Sequence, residues 1–455
     1  MSLTKTIARW AAEVSWQDVP DTVKDHAIAD LRDSMSVMFA GAATTSARIA
    51  AEYARTCPGP VPLVGGGTAA PAEAAFANGV AAAALDFEDG HYQGGAIHPA
   101  SVVGAAALAS APQDASVEDL LLARVVGYEV CLRMAALLWS KHPEDWYHCT
   151  GCAGAVGAAA ASAKLRGLDA DGMYRAIVIA WTHAPMSTFA LPMLKESIGW
   201  GAQVGASAAQ LAQAGYMRLP EGYQPPMPDV MPETPFDRQG VDANDYVTSF
   251  GTVWESGNTY FKPYASCRYT HAAARGLSDM LREHGLTADV IASIEVGTHV
   301  GAVFLAEKRP QTLEHAQYSF PHVLAAIVLD GAAGAAEISE GRLFDRDRAA
   351  VADRVTVIHD EALDAEYPAH YGSRLRVTTS DGRVLDGTFL DAPGDAALPM
   401  SETELEHKWR RTLNLIVSEK VADDLLREIG EPHRVLAEVI GPVFANMSSS
   451  ALTPA

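Results

Sequence analysis

The sequence predicts an α-rich protein in which a long helical block is followed by a smaller α+β block and then a return to helix. Three observations carry this prediction. From Thr4 to about Tyr216, apolar residues recur at spacings of three and four, alanine is abundant, and Gly or Pro falls between segments. After Asp245 come β-rich runs, IASIEVGTHVGAVF and DRVTVIHDEAL, and an alternating stretch on either side of Asp381-Gly382. PMSETELEHKWRRTL then restores helical spacing.

Taken in order, MSLTKTIARWAAEV reads as an amphipathic helix start. It lacks the basic stretch, apolar run and small-residue cleavage site of a signal peptide. Asn78 to Asp89 reads as a helix that Gly90 ends, which would set Asp86 and Asp89 on one face. Gly151, Gly154 and Gly157 recur every three residues and suit a helix that a neighbour approaches closely. Residues 219–245 carry six prolines without helical period and read as a long surface loop or crossover between the blocks. YSFPHVLAAIVLDGAA, from Tyr318, is a helix with Pro321 in its first turn. Asp381-Gly382 marks a hairpin, Ser401 and Glu404 are spaced as a capping box, and SSSALTPA reads as a frayed tail. The C-terminal helical segment is expected to pack back onto the first block.

The 455 residues suffice for two or three domains and a sizeable core. A formal charge of −22 repels phosphate backbones and anionic headgroups, which argues against nucleic acid and membrane surfaces as partners. The longest apolar runs are alanine-dominated and too short to span a bilayer, so the expected location is the cytoplasm. Five cysteines, an odd number in a long chain, read as free thiols. Cys149 and Cys152 form a CxxC with no second pair to complete a tetrahedral zinc site. VGGGT, at residues 64–68, lacks the GK[ST] ending of a phosphate loop and reads as a turn. HExxH, GxSxG and a dinucleotide GxGxxG in context are also missing.

Chemistry concentrates in four places. ALDFEDGHYQGGAIHP places three acids, His91 and His98 within sixteen residues, with Pro99 biasing His98 to an extended backbone. Acids at a helix C-terminus face the negative end of its dipole, a cost of about 0.3–1 kcal/mol each that favours a paired or functional role. His148 precedes a glycine-rich helix start, whose N–H groups suit an anion. Lys195 precedes a small-residue helix, and Lys262, Cys267, Arg268 and His271 cluster within ten residues on a constrained loop. Arg133, inside an apolar helix, reads as a core or interface arginine.

LDFEDGH with its following HP, HCTG with GAVGAAAASAKLRGLD, KPYASCRYTHAA, YSFPHVLAAIVLDG and PMSETELEHKW, together and in this order, resemble the MmgE/PrpD family. That family includes 2-methylcitrate dehydratases, cis-aconitate decarboxylases and iminodisuccinate epimerases. The resemblance implies a large all-helical domain built from residues 1–265 and 400–455, with a smaller α+β domain, 266–399, inserted between them. It further implies a homodimer and an active site in the cleft between domains that needs no metal or organic cofactor. Matched position by position, it makes Asp86, His98, His148, Lys195 and Lys262 the catalytic group; His91, Cys267, Arg268 and Tyr318, which stand in or beside the same motifs, are expected as substrate-binding residues. Two departures stand out: Gly90-His91 follows the acids where many members have a threonine or similar residue, and Cys267 stands where the decarboxylases carry a histidine five residues after the second lysine.

The chemistry these relatives share is a carbanion-like centre beside a carboxylate, so the site must neutralise that carboxylate. Lys262 and Arg268 are expected to bind it, His98 or His148 to move the proton, and Asp86 to orient a histidine or lysine. The residue types permit dehydration, epimerisation, double-bond isomerisation and decarboxylation. The favoured expectation is a lyase dehydrating a small hydroxylated carboxylate such as 2-methylcitrate. An isomerase or epimerase comes next, with His91 as its second acid/base group, and a cis-aconitate-type decarboxylase last. A catalytically silent helical dimer that binds an acid is the alternative of a different class.

Overall fold

In a computed structural model the described residues are 3–92, 97–138, 149–185, 195–218, 249–395 and 397–447. The Pro-rich stretch, His148 and the terminal tail lie outside them.

Among the described residues, nine α-helices make the first part: α1 (Leu3–Glu13), α2 (Asp21–Gly41), α3 (Thr45–Ala54), α4 (Pro71–Ala83), α5 (Ala105–Ser110), α6 (Val117–Leu138), α7 (Cys149–Leu165), α8 (Ala170–His183) and α9 (Glu196–Gln213). Their starts follow local chemistry. Pro71 opens α4, Thr44 caps α3, and Asp169 caps α8 by accepting the Gly172 N–H at 2.8 Å. VGGGT is the turn between two short antiparallel strands, β1 (Val61–Pro62) and β2 (Thr68–Ala69).

α7 is buried on every face from Cys149 to Ala163, as expected of a helix that is apolar all round. Its glycines are the points of closest approach. A Cβ at Gly157 would lie 2.4 Å from the Gly127 carbonyl oxygen on α6, and one at Gly154 would lie 2.3 Å from Val102.

The second part holds a four-stranded sheet in the order β4-β3-β5-β6, from β3 (Ile291–Thr298), β4 (Val355–His359), β5 (Ser373–Thr379) and β6 (Val384–Phe389). β3 runs parallel to β4 and antiparallel to β5. β5 and β6 are joined at the expected Asp381-Gly382 turn, where Gly382 has φ +87°. Helices α10 (His271–His284), α11 (Leu313–Gln317), α12 (Phe320–Asp330), α13 (Arg346–Ala352) and α14 (Glu361–Asp364) accompany the sheet. α12 has Pro321 in its first turn and Ser319 as its cap, as the sequence indicates.

The last described helices are α15 (Glu402–Leu413), α16 (Glu419–Glu428) and α17 (Leu436–Asn446). The Ser401–Glu404 capping box forms at α15. α15 packs against α2: Lys408 and Trp409 both donate to the buried Asp33 carboxylate, at 2.7 Å and 2.9 Å. Among the described residues no helix is long and apolar enough to cross a membrane.

One expected element differs. α4 stops at Ala83 rather than continuing to Asp89, and Asp86 takes a left-handed backbone with φ +49°. Aspartate tolerates that region better than most residues. Lys262, distant in sequence, fixes it by donating to both the backbone carbonyl and the carboxylate of Asp86, each at 3.0 Å.

Candidate active site

The turn after α4 separates the acids that the sequence seemed to pair. Asp86 faces two lysines distant from it in sequence, Lys195 and Lys262. Lys262 Nζ lies 3.0 Å and Lys195 Nζ 3.5 Å from Asp86 Oδ1. All three side chains are buried. Burial opposes ionisation of Asp86, but Lys195, Lys262 and the nearby His98 outweigh it and hold the carboxyl well below the usual carboxylate range. Its second oxygen, Oδ2, is buried without a hydrogen-bond partner. Asp89 Oδ1 instead accepts the Ala100 N–H at 3.0 Å, in the turn that leads into α5.

His98 is fixed through its ring and its backbone. Its N–H donates to Thr150 Oγ1 at 3.1 Å, and its Nδ1 lies 2.7 Å from the Asp89 carbonyl oxygen. A carbonyl only accepts, so Nδ1 carries the hydrogen.

Tyr318 and Cys267 complete the lysine side of the site. Lys195 Nζ stands 5.9 Å from the Tyr318 ring centroid, and burial, then the Asp86 charge, raises the phenol well above its usual range. Cys267 is held by its N–H to the Gln317 carbonyl at 3.0 Å. Burial pushes its thiol up to about 12, so it stays protonated at neutral pH.

Arg268, expected to bind a substrate carboxylate, is hydrogen-bonded within the protein. Its guanidinium donates to Tyr92 Oη, His271 Nδ1, the Pro393 and Ala392 carbonyls and Asp395, and it covers the Tyr260 ring at 4.5 Å. Those five hydrogen bonds use its donors inside the protein and tie the loop at 392–395 to the start of α10. His91 pairs with Glu255, Nε2 to Oε2 at 3.5 Å. Arg133 is a core arginine, buried against Glu129 and the Phe250 ring.

Two groups here were not singled out in the sequence. Glu88 is buried, neither carboxylate oxygen has a hydrogen-bond partner, and burial, with Asp86 adding to it, raises its pKa against the pull of Lys262 and Lys195. Lys408 donates to the Phe87 carbonyl at 2.9 Å, bracing the turn that carries both acids. The only sequence signal for Glu88 was its position as the middle acid of LDFEDGH; Lys408 lies in the EHKW motif.

Lys195 and Lys262 both converge on the one Asp86 carboxylate, a concentration of positive charge suited to an anionic ligand. Among the described residues no group of His, Cys, Asp and Glu side chains converges to hold a metal ion.

Residues 5–222 match the MmgE/PrpD N-terminal domain, and residues 264–429 match the MmgE/PrpD C-terminal domain. The cis-aconitate decarboxylase of Aspergillus terreus (strain NIH 2624 / FGSC A1156) is 25% identical over 462 residues, covering 93% of this chain and 92% of its own. That of Homo sapiens is 26% identical over 456 residues, covering 94% and 91%. A cis-aconitate decarboxylase-like protein of Aspergillus oryzae (strain ATCC 42149 / RIB 40) is 25% identical over 452 residues, covering 91% of each. Matched by both domain models and along most of its length, the chain belongs to the MmgE/PrpD family.

Proposed function

We propose that the protein is a lyase acting on a small polycarboxylate, and that its reaction is loss of CO₂ from a cis-aconitate-like substrate. The observation that carries this reading is the Lys195–Asp86–Lys262 centre, two buried ammonium groups around one carboxylate with His98 beside it. The reading reverses the order expected from the sequence, which put dehydration first, because the relatives matched over nine-tenths of both chains are decarboxylases.

The lysines take the substrate carboxylates that stay on the carbon skeleton. When the CH₂–CO₂⁻ bond breaks, its electron pair forms a new double bond to the central carbon, and the old double bond takes up a proton at its far carbon. Negative charge spreads toward the held carboxylates in that transition state, where Lys195 and Lys262 stabilise it in a site away from water. His98, protonated at Nε2, supplies the proton, and Asp86 keeps both lysines and the imidazolium charged.

Dehydration of a hydroxylated carboxylate is the second reading, and Cys267 favours it. The resemblance places a histidine there in decarboxylases, whereas this thiol neither gives nor takes a proton at neutral pH. The same cationic site then holds the carboxylates while a β-hydroxyl leaves.

Proton NMR in heavy water with cis-aconitate, citrate, 2-methylcitrate and iminodisuccinate tests both readings. CO₂ loss from cis-aconitate with one deuterium in the product methylene supports the first. Alkene formation from a hydroxy acid moves the assignment to the second, and exchange at a C–H without elimination moves it to an epimerase.

A further inference from the structure

Tyr260 lies where the turn after α4 meets the segment that carries Lys262. Gly90 and Tyr260 form an antiparallel bridge, the Gly90 N–H donating to the Tyr260 carbonyl at 3.1 Å and the Tyr260 N–H to the Gly90 carbonyl at 2.7 Å. Residues paired in this way present their side chains on the same face. Gly90 has no side chain, and the phenol of Tyr260 folds over it: a Cβ at Gly90 would lie 2.3 Å from both Cζ and Oη of Tyr260. The Arg268 guanidinium stands 4.5 Å from the centre of the same ring, and the Tyr92 ring centre lies 4.9 Å away.

A ring folded over the glycine opposite it fills the gap that the glycine leaves. Phenylalanine would pack on Gly90, Arg268 and Tyr92 equally well, so packing does not account for the hydroxyl. Tyr260 is 2% exposed, and its Oη has no hydrogen-bond partner among the described residues, a standing cost to the fold. Its neighbour in the stack shows the contrast, since Tyr92 Oη accepts from Arg268 at 3.1 Å and donates to Asp395. Burial raises the Tyr260 phenol well above its usual range against the pull of Arg268, so it stays protonated and acts as a neutral donor.

The flanking residues tie this donor to the site. Asp89, immediately before Gly90, holds the His98 ring through its carbonyl at 2.7 Å, and Lys262, two residues after Tyr260, reaches Asp86 at 3.0 Å. The phenol therefore sits on the seam between the segments that bring His98 and Lys262 to Asp86.

We propose that Tyr260 is a substrate-binding residue whose hydroxyl donates a hydrogen bond to a carboxylate oxygen of the polycarboxylate held at Lys195 and Lys262. The inference rests on the reading that a polycarboxylate binds at this centre. Gly90 is the complement of the ring, because any other residue there would collide with it. The hydroxyl adds what the lysines do not supply. Two ammonium groups attract any small anion, whereas a buried donor left unpaired by the protein rejects a ligand that brings no oxygen to it.

The test uses tricarballylate, a saturated tricarboxylate with neither a double bond nor a hydroxyl to react, titrated calorimetrically into wild type, Y260F and K262M. Y260F should bind it about 10- to 100-fold more weakly than wild type, the range for losing a hydrogen bond to a charged group. Y260F should also melt at or above the wild-type temperature, because the atom removed bonds to nothing in the protein. Where a substrate turns over, the loss should fall on KM with kcat little changed. Tricarballylate binding that K262M loses and Y260F keeps overturns the role of Tyr260 and leaves the polycarboxylate reading standing. A Y260F protein that melts several degrees lower also overturns it, since the hydroxyl then serves the fold. A wild-type protein that binds neither tricarballylate nor citrate overturns both.

Discussion

Removing Lys262 probes the site most sharply, because its ammonium group does two things at once. It donates to the Asp86 carbonyl and carboxylate at 3.0 Å, holding the left-handed turn and neutralising a buried charge. At an effective dielectric of about 20, unit charges at this distance interact by about 5 kcal/mol, and the Lys195 pair by slightly less. Desolvation of several kcal/mol per ion offsets much of that, and Lys195 at 3.5 Å remains in K262M to compensate part of the Asp86 charge. The expected destabilisation is about 3 kcal/mol, the lower end of what breaking a buried pair costs. K195M, which removes the longer contact and no backbone hydrogen bond, should cost less. Loss of one stabilising charge from the transition state should lower kcat by about 10²–10³. Urea unfolding followed by tryptophan fluorescence, with turnover of the active polycarboxylate, measures both effects. A K262M protein destabilised by less than about 1 kcal/mol, the value of an exposed pair, and with turnover intact would refute the argument.

Other consequences follow from the same geometry. Because the Glu88 pKa is raised by burial, the folded protein holds a proton there that the unfolded chain has lost, so stability falls as pH rises from the ordinary glutamate range to the raised value. E88Q should lack that decline, and thermal melts of both proteins from pH 5 to 9 would show it. Asp86 acts oppositely. Its depressed pKa contributes stability above the ordinary carboxylate range that is lost only as pH falls through its low folded value, so D86N should flatten the acid side of the stability curve. R268K cannot reproduce the five-bond fork and should lower the melting temperature strongly while leaving KM for substrate little changed; the reverse pattern would restore Arg268 as a carboxylate ligand. Iodoacetamide at pH 8 should modify Cys57, the partly exposed cysteine, and leave Cys267 intact, as peptide mass spectrometry would read directly. G157A should cost about 1–3 kcal/mol through overpacking against α6.

What the sequence made legible was mostly local. The Asp381-Gly382 hairpin, the Ser401–Glu404 box and Pro321 at the start of α12 each depend on a few neighbouring residues, and each formed as expected. The glycine spacing of α7 also had the effect expected of it. The helix through Asp86 and Asp89 failed as an expectation because a lysine 176 residues away sets the backbone at Asp86. The hydrogen bonds of Arg268 were illegible for the same kind of reason: its partners, Tyr92, His271, Ala392, Pro393 and Asp395, come from separate parts of the chain and leave no spacing signal. Asp86, His98, Lys195 and Lys262 were named together through family resemblance, and the structure places Asp86 within reach of both lysines and in the field of His98. Glu88 escaped notice because a third acid in an acidic motif reads as solvated surface until its burial is known.

The most direct test of the central claim is a single deuterium-resolved turnover experiment: cis-aconitate in heavy water with wild type, K262M and H98Q in parallel. The account predicts CO₂ release by wild type with one deuterium on the product methylene, and a deep loss of that turnover in both variants. Wild-type decarboxylation that survives in K262M and H98Q, or no reaction with any small polycarboxylate, would contradict it.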